Sequence, residues 1–349
     1  MTGKLFNRIN RKELKQKFAK LDEERLVISF YKYFHIDLPQ LFRNRLYEAL
    51  DTINLKGRIY VATEGINAQV SIPSDSFEVF KSVLNSFEEL KDIRLNIAVE
   101  NATKSFFALI IKVRPRIVAD GILDPAFDSA DCGTHLNANE FNKIAQQPDA
   151  IIVDMRNHYE SEVGHFKNAI IPDVTTFRES LPIVADLLHN KKENPVIMYC
   201  TGGIRCEKAS AYLKHHGFKN VFQLEGGIIK YAHDVENEGL PNLFIGKNFV
   251  FDERLGERIS DDVIALCHQC GDPCDDHTNC ANDACHILFI QCPGCAFKYD
   301  NSCSQKCADF IKLPKEERSL LQKTEIFNGS KFSKGRYKAY NAHLGELMI

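Results

Sequence analysis

The sequence has no long apolar run. Its longest, such as residues 106–111 and 150–153, fall far short of the roughly 20 residues that cross a bilayer, so no membrane span is expected. Residues 1–20 alternate basic and polar side chains around no apolar core, which argues against a secretory leader and makes the cytoplasm the expected location. Net charge is lacking too. The 44 Lys and Arg against 47 Asp and Glu give −3, no global mark of a nucleic-acid binder, although charge can still be segregated locally. No Walker loop, dinucleotide fingerprint or Ser/His/Asp arrangement is present, and neither is an internal repeat or a low-complexity linker. The composition, 44% hydrophobic and 26% charged over 349 residues, excludes a disordered, collagen-like or coiled-coil chain and implies two or three domains. The placement of the twelve cysteines carries more information. Cys132 stands alone, Cys200 and Cys206 lie together, and nine fall between Cys267 and Cys307. In a reducing cytosol such crowding points to metal or redox chemistry rather than to disulfide staples.

The pattern predicts an α/β and α+β multidomain chain. Over residues 26–34 β-branched and aromatic side chains read as a strand, and Leu41, Leu46, Leu50 and Ile53 then recur at helical spacing. Strands over 57–62 and 66–72 flank the turn Thr63-Glu64-Gly65. Ser74 is the expected N-cap of a helix carrying Phe77, Phe80, Val83, Leu84 and Phe87, and strands over 93–99 and 106–118 follow. This βαββαβ order with an extra strand is the ferredoxin-like arrangement, assigned to residues 1–120 with a basic N-terminal segment. A second unit, residues 135–240, alternates strands over 150–154, 195–199 and 220–224 with helices near 137–145, 176–188 and 207–216, the signature of a parallel sheet covered on both faces. Residues 242–349 show no comparable periodicity and are organised by cysteine.

Within the second unit, a buried strand ends at Cys200. The tight loop Thr201, Gly202, Gly203 and Ile204 follows, and Arg205 stands where a helix begins. Backbone N–H groups and the positive end of a helix dipole favour thiolate over thiol in such a loop. Glycines at 202 and 203 allow the amides to turn inward, and Arg205 adds a cation with a forked donor for an oxyanion. The expected result is a nucleophilic cysteine in a small anion cradle. These residues resemble the active-site loop of the rhodanese superfamily, in which the cysteine carries a persulfide. The resemblance extends to Asp154 with Arg156, to Gly164 with His165, and to the stretch from Gly217 to Gly226-Gly227, where two glycines fit a turn. Asp154 and Arg156 are expected to support the cradle, and His165 to be structural. The Cys-x4-Arg loop is the short form associated with sulfur transfer, one residue shorter than the related phosphatase loop. Cys206 reads either as a resolving thiol for Cys200 or as a small core residue.

In the C-terminal region the metal-ligand candidates are Cys267, Cys270, Cys274, Cys280, Cys285, Cys292, Cys295, Cys303 and Cys307, with His268, His277 and His286 interspersed. The Cys-x2-Cys pairs Cys267/Cys270 and Cys292/Cys295 have the spacing of zinc knuckles. Nine thiols could fill two four-ligand sites and leave one over, and bound metal would hold a fold in a region so poor in apolar residues. Iron-sulfur is less favoured because no ferredoxin-type spacing occurs. Reduced buried cysteines, or redox pairs that recycle Cys200, are the alternatives.

Charge is segregated to the ends. Residues 1–20 carry Lys4, Arg8, Arg11, Lys12, Lys15, Lys17 and Lys20 against Glu13 alone. Residues 312–338 hold eight basic against three acidic side chains, interleaved with Phe327, Phe332 and Tyr337 and followed by Tyr340. Basic side chains with stacking faces suit single-stranded or looped RNA, while solvated tails with no ligand are the alternative.

Three strings together, residues 57–69, 199–210 and 267–280, resemble the bacterial rhodanese-domain tRNA uridine hydroxylases over nearly the whole chain and in the same domain order. The resemblance implies oxygen-dependent conversion of wobble uridine to 5-hydroxyuridine, with Cys200 as the persulfide-forming cysteine, tRNA bound through its anticodon region, a reductant and a sulfur donor protein. No flavin, haem or facial-triad motif is visible, so Cys200 or its persulfide is the candidate source of a nucleophile or of reducing equivalents. The segment 62–69 reads as substrate surface or simply as a tight hairpin. A small-molecule sulfurtransferase acting on thiosulfate or a persulfide, and a non-catalytic zinc-bearing RNA adaptor, remain alternatives.

Overall fold

The computed structural model describes residues 23–100, 105–329 and 336–337. The basic segment 1–20 and most of the basic stretch beyond residue 329, with Phe332 and Tyr340, lie outside the described residues. The N-terminal unit contains β1 (Arg25–Tyr33), α1 (Pro39–Asp51), β2 (Lys56–Ala62), β3 (Gly65–Pro73), α2 (Phe77–Asn85), β4 (Asn96–Ile97) and β5 (Leu109–Val113). Its sheet runs β4-β1-β3-β2-β5, antiparallel except where β5 joins β2 in parallel. This is the ferredoxin-like order with the added strand on the β2 edge. Because side chains alternate along a strand, Ile28 and Phe30 of β1 and Ile66, Ala68 and Val70 of β3 meet Phe42, Leu46, Phe80 and Leu84 of the two helices in one core. The same alternation sends Ser29, Tyr31, Asn67 and Gln69 to the opposite face, free of helices of its own unit and turned to the central one, where Tyr31 OH donates to Glu207.

Two details differ from the expectation. The strands expected over 93–99 and 106–118 shrink to β4 and β5, the latter because Pro115 has no N–H to give a ladder. Ser74 opens a single 3₁₀ turn over Ser74–Ser76, and Ser76 takes the N-cap position of α2 without a side-chain hydrogen bond.

The central unit contains β6 (Thr134–Leu136), α3 (Ala138–Ala145), β7 (Ile151–Asp154), α4 (His158–Ser161), β8 (Gly164–Phe166), α5 (Phe177–Leu187), β9 (Pro195–Tyr199), α6 (Ile204–His215), β10 (Asn220–Leu224) and α7 (Gly227–Glu238). Its sheet, β6-β10-β9-β7, is wholly parallel. Alternation along β9 splits two cores. Val196, Met198 and Cys200 pack with Phe177, Leu181, Ala209 and Leu213 on one face. Ile197 and Tyr199 pack with Phe141, Ile228 and Tyr231 on the other. β6 and α7 were not anticipated: three residues are too few to show a period, and the Gly226-Gly227 turn conceals a helix start.

The third region joins this unit through β11 (Phe244–Asn248), which pairs antiparallel with β8 and also with β12 (Glu257–Arg258). A hairpin of β13 (His277–Asn279) and β14 (Leu288–Ile290) follows, then α8 (Pro293–Lys298), α9 (Gln305–Lys312) and α10 (Lys315–Leu321). Among the described residues no helix is long and apolar enough to cross a membrane.

The N-terminal and central units are tied by an ion pair. In the β2–β3 turn, Glu64 accepts from Lys208 Nζ of α6 at 2.7 Å and from the Ile117 N–H at 2.9 Å. Lys208 is buried, with Asp120 a further 3.5 Å partner. Glu64→Gln leaves a buried ammonium with half its counter-charge. The expected loss is about 3 kcal/mol of stability, read as a shift of the denaturation midpoint; an unchanged midpoint would show that the turn is only a turn.

Candidate active site

Cys200 follows the last residue of β9, and the chain turns at Gly203 into α6. Gly203 has φ +99°, and a Cβ there would lie 2.8 Å from the Tyr31 hydroxyl, so this position requires glycine. Gly202 differs from the expectation. Its backbone is ordinary, and a Cβ would meet Ser29 Oγ at 3.6 Å and Asn96 Nδ2 at 3.7 Å, normal contacts. The Gly203 N–H donates to Cys200 Sγ at 3.2 Å. The loop is gripped from behind by the start of α7, whose Ile228 and Ile229 N–H groups donate to the Cys200 and Thr201 carbonyls at 3.0 and 3.2 Å. Gly227 lets that helix approach, since a Cβ there would sit 2.4 Å from the Cys200 carbonyl oxygen.

Burial opposes ionisation of Cys200. The hydrogen bond from the Cys206 thiol, the Arg205 charge and the Arg205 and Gly203 N–H groups outweigh it, and draw the pKa down to about 6. Cys206 moves the other way: burial and the adjacent thiolate hold it protonated. Cys206 is therefore in hydrogen-bond contact with Cys200 and is at the same time a core residue. Alkylation of Cys200 by iodoacetamide, followed by peptide mass spectrometry, should accelerate about tenfold per pH unit up to pH 6 and then level off. A rate still rising at pH 8 would mean an ordinary thiol.

Arg205 is placed differently from the expected oxyanion donor. Its fork is engaged by the buried Glu160 carboxylate at 2.7 and 2.9 Å, and Nη2 also donates to Thr201 Oγ1 at 3.2 Å. A guanidinium this deep needs a counter-charge, and Glu160 supplies it from α4. Arg205 thus acts on Cys200 by charge while its geometry is held by Glu160. Asp154 and Arg156 pair with each other at 2.6 Å, both fully buried. Asp154 also accepts from the Tyr199 and Ser161 hydroxyls, and Arg156 donates to the Gly164 carbonyl. Among the described residues this pair reaches the loop through Tyr199, bracing the end of β9 rather than touching the cradle. His165 donates from Nδ1 to the Phe166 carbonyl at 3.1 Å, a local backbone contact.

A cavity of about 400 Å³ opens beside Cys200. All three regions wall it: Ser29, Asn67, Gln69 and Asn96 from the N-terminal sheet, Cys200 to Gly202 with Ile204 and Arg205 from the central loop, and Phe251, Asp252, Arg254 and Glu257 from the segment after β11. The last group was missed at the sequence level, as were Glu160 and Glu207. Glu207 receives Tyr31 OH, His135 and Gln223, and these bonds overcome the burial that opposes its charge, holding its pKa down at about 2. A strand with polar residues at every second position, as in β1 and β3, was the signal available for this face.

The nine C-terminal cysteines separate. Cys267, Cys270, Cys292 and Cys295 bring their sulfurs within 4.8 Å of one another, and so do Cys280, Cys285, Cys303 and Cys307. Cys274 joins neither group and packs with Val163 and Phe249. Neighbouring sulfurs stand 3.6 Å apart for Cys270 and Cys292, and 3.7 Å apart for Cys285 and Cys303 and for Cys303 and Cys307. Tetrahedral zinc with Zn–S near 2.3 Å requires about 3.8 Å. N–H groups of Cys292, Cys295, Cys303 and Gly329 donate to these sulfurs at 3.3 to 3.4 Å, as metal thiolates require of their surroundings. The pairs interleave along the chain, so each quartet clasps segments separated by a pair belonging to the other.

Three family descriptions match the chain in order: the UPF0176 acylphosphatase like domain over residues 25–117, the rhodanese-like domain over 137–234 and the rhodanase C-terminal domain over 245–308. The tRNA uridine(34) hydroxylase of Pectobacterium carotovorum subsp. carotovorum is 57% identical over 333 residues, 94% of both chains. The chain belongs to the tRNA uridine(34) hydroxylase family. Proteins of the same name from Pectobacterium atrosepticum and Yersinia pestis are 56% and 55% identical over the same share of both chains. In this member of the tRNA uridine(34) hydroxylase family, the cavity at Cys200 is therefore assembled from all three matched domains.

Proposed function

We propose that this chain hydroxylates C5 of the wobble uridine in tRNA to give 5-hydroxyuridine in the cytoplasm, with Cys200 as the reacting residue. The observation that carries the reading is a fully buried cysteine, held by loop N–H groups and beside Arg205, facing a cavity that all three domains wall, its pKa drawn down to about 6. A small sulfur donor would need the central loop, whereas this cavity of about 400 Å³, roomy enough for one nucleobase, is walled by the other two domains as well. The excess of six positive charges over residues 1–20 and of five over 312–338 suits the phosphates of an anticodon stem-loop.

Hydroxylation by O2 puts one oxygen atom on C5 in place of hydrogen and releases the other as water, consuming two electrons and two protons. Cys200 and Cys206, already in contact, hold two electrons that are released when they join in a disulfide, and a cellular thiol restores the pair. Cys200 also serves as acceptor for persulfide sulfur from a donor protein, its terminal sulfur then being the nucleophile. The Arg205 charge and the loop N–H groups stabilise negative charge at that sulfur in either form. In the C-terminal region each cysteine quartet holds a structural zinc ion, with Cys274 left as a core residue.

Nucleoside mass spectrometry of tRNA from a deletion strain, with a thiosulfate assay on the purified chain, tests the reading. Loss of 5-hydroxyuridine without thiosulfate turnover supports it. Thiosulfate turnover with unchanged tRNA would establish a small-molecule sulfurtransferase, and tRNA binding with neither activity an RNA adaptor.

A further inference from the structure

Strand register sets three polar side chains side by side on the face of the N-terminal sheet that is turned to the central unit. Ser29 of β1 stands opposite Asn96 of β4 on one side and Gln69 of β3 on the other. At about 4.8 Å per strand this row spans about 10 Å, and all three residues line the cavity beside Cys200. The row abuts the reactive loop: the Asn96 side-chain amide donates one N–H to the Gly202 carbonyl at 3.3 Å, which leaves its second N–H and its Oδ1 for a ligand. Among the described residues Ser29 Oγ is buried without a hydrogen-bond partner, a state that costs free energy unless a further group supplies one.

Charge in the cavity narrows the ligand class. The basic side chains lining it are Arg205, neutralised by Glu160, and Arg254, which is paired with both Asp252 and Glu257. Among the described residues these two cations face three carboxylates, an excess of one negative charge to which the Cys200 thiolate adds a second. A phosphate or thiosulfate dianion would enter against that field, whereas an uncharged ring meets no such penalty. The remaining walls mix polar groups (Tyr31, Asn67, Asn157 and Thr201) with apolar ones, among which Val27, Phe177 and Phe251 offer faces to a planar ring.

Uracil presents two carbonyl acceptors on either side of the N3–H donor. A hydroxyl between two carboxamides supplies donors and acceptors able to pair with that edge. Enzymes that modify a base draw it out of its stack and read its pairing edge in a pocket, and a single-stranded loop makes such extrusion inexpensive. We propose that Asn96, Ser29 and Gln69 form a base-reading row that holds the edge of an uncharged pyrimidine in the cavity, with the phosphates outside, so that C5 meets Cys200. The assignment rests on the hydroxylase reading above and adds to it which residues select the base.

The full-length chain is tested as Ser29→Ala, Gln69→Leu and Asn96→Leu, singly and combined, in the deletion strain. Each single change should lower 5-hydroxyuridine formation by about five- to tenfold, the worth of one hydrogen bond, and the triple change by more than about a hundredfold. Affinity of the purified variants for tRNA should stay within about twofold of wild type, and so should the pH profile of Cys200 alkylation in Ser29→Ala and Gln69→Leu, which keep the Asn96 bond to the Gly202 carbonyl. Ser29→Ala removes one oxygen and keeps the test readable if the triple variant does not fold. Wild-type modification in the triple variant would overturn the row, and so would an equal loss of alkylation and tRNA binding, which would mark it as structural. If the wild-type chain itself fails to restore 5-hydroxyuridine, the hydroxylase reading falls, a result distinct from a failure of the row alone.

Discussion

Cys200→Ser should lower 5-hydroxyuridine in tRNA by at least about a thousandfold, the scale on which removal of a nucleophile acts. Serine keeps the volume and can accept the Gly203 N–H, so the loop and the α7 clasp behind it should survive. What disappears is the ionised sulfur. A hydroxyl cannot be brought to a pKa near 6 by a neighbouring thiol, one guanidinium and two N–H groups, and it can carry neither a persulfide nor a disulfide with Cys206. Thermal stability close to wild type, measured on the same preparation, separates lost chemistry from lost fold. Full modification by the serine variant would place the chemistry elsewhere in the cavity.

The second large effect is expected from the metal. Among the described residues, the core around Cys280, Cys285, Cys303 and Cys307 includes, besides these four, two other buried residues, Ile287 and Phe289, with Phe327 and Tyr337 half-buried against them. So little apolar surface cannot hold a fold, whereas a structural zinc site contributes roughly 10–16 kcal/mol of apparent binding free energy. The purified chain should contain two zinc ions, and Cys303→Ser should lose one and render the C-terminal region sensitive to protease. The consequences should reach the cavity. The other quartet packs against Tyr159, Val163 and Phe251, and these flank Glu160, which holds Arg205, and the cavity wall itself. Chelation should therefore lower activity as well as stability. Less than about half an equivalent of metal in protein purified without oxygen would contradict the zinc assignment.

Legibility in the sequence followed the range of the interaction concerned. The ferredoxin-like order and the parallel sheet were readable because their strands and helices carry strong local periods, and the loop from Cys200 to Arg205 because a strand end, two glycines and a helix start are adjacent in the chain. Partners contributed from far away were not readable. Nothing local announces that Glu160 closes on Arg205, that Glu64 bonds Lys208 across 144 positions, or that Ser29 and Asn96 stand beside Gly202. Cysteine spacing allowed two four-thiol sets with one thiol left over, but only the interleaved fold of the C-terminal region separates Cys274 from the quartets.

The proposed reaction places oxygen from O2 on a tRNA uridine at Cys200. Nucleoside mass spectrometry of tRNA from a deletion strain, complemented with the wild-type chain and grown under 18O2, tests it most directly. The predicted result is that 5-hydroxyuridine is absent without the chain, returns with it, and gains the mass of one heavy oxygen. 5-Hydroxyuridine persisting in the uncomplemented strain, or returning without the label, would overturn the proposed reaction.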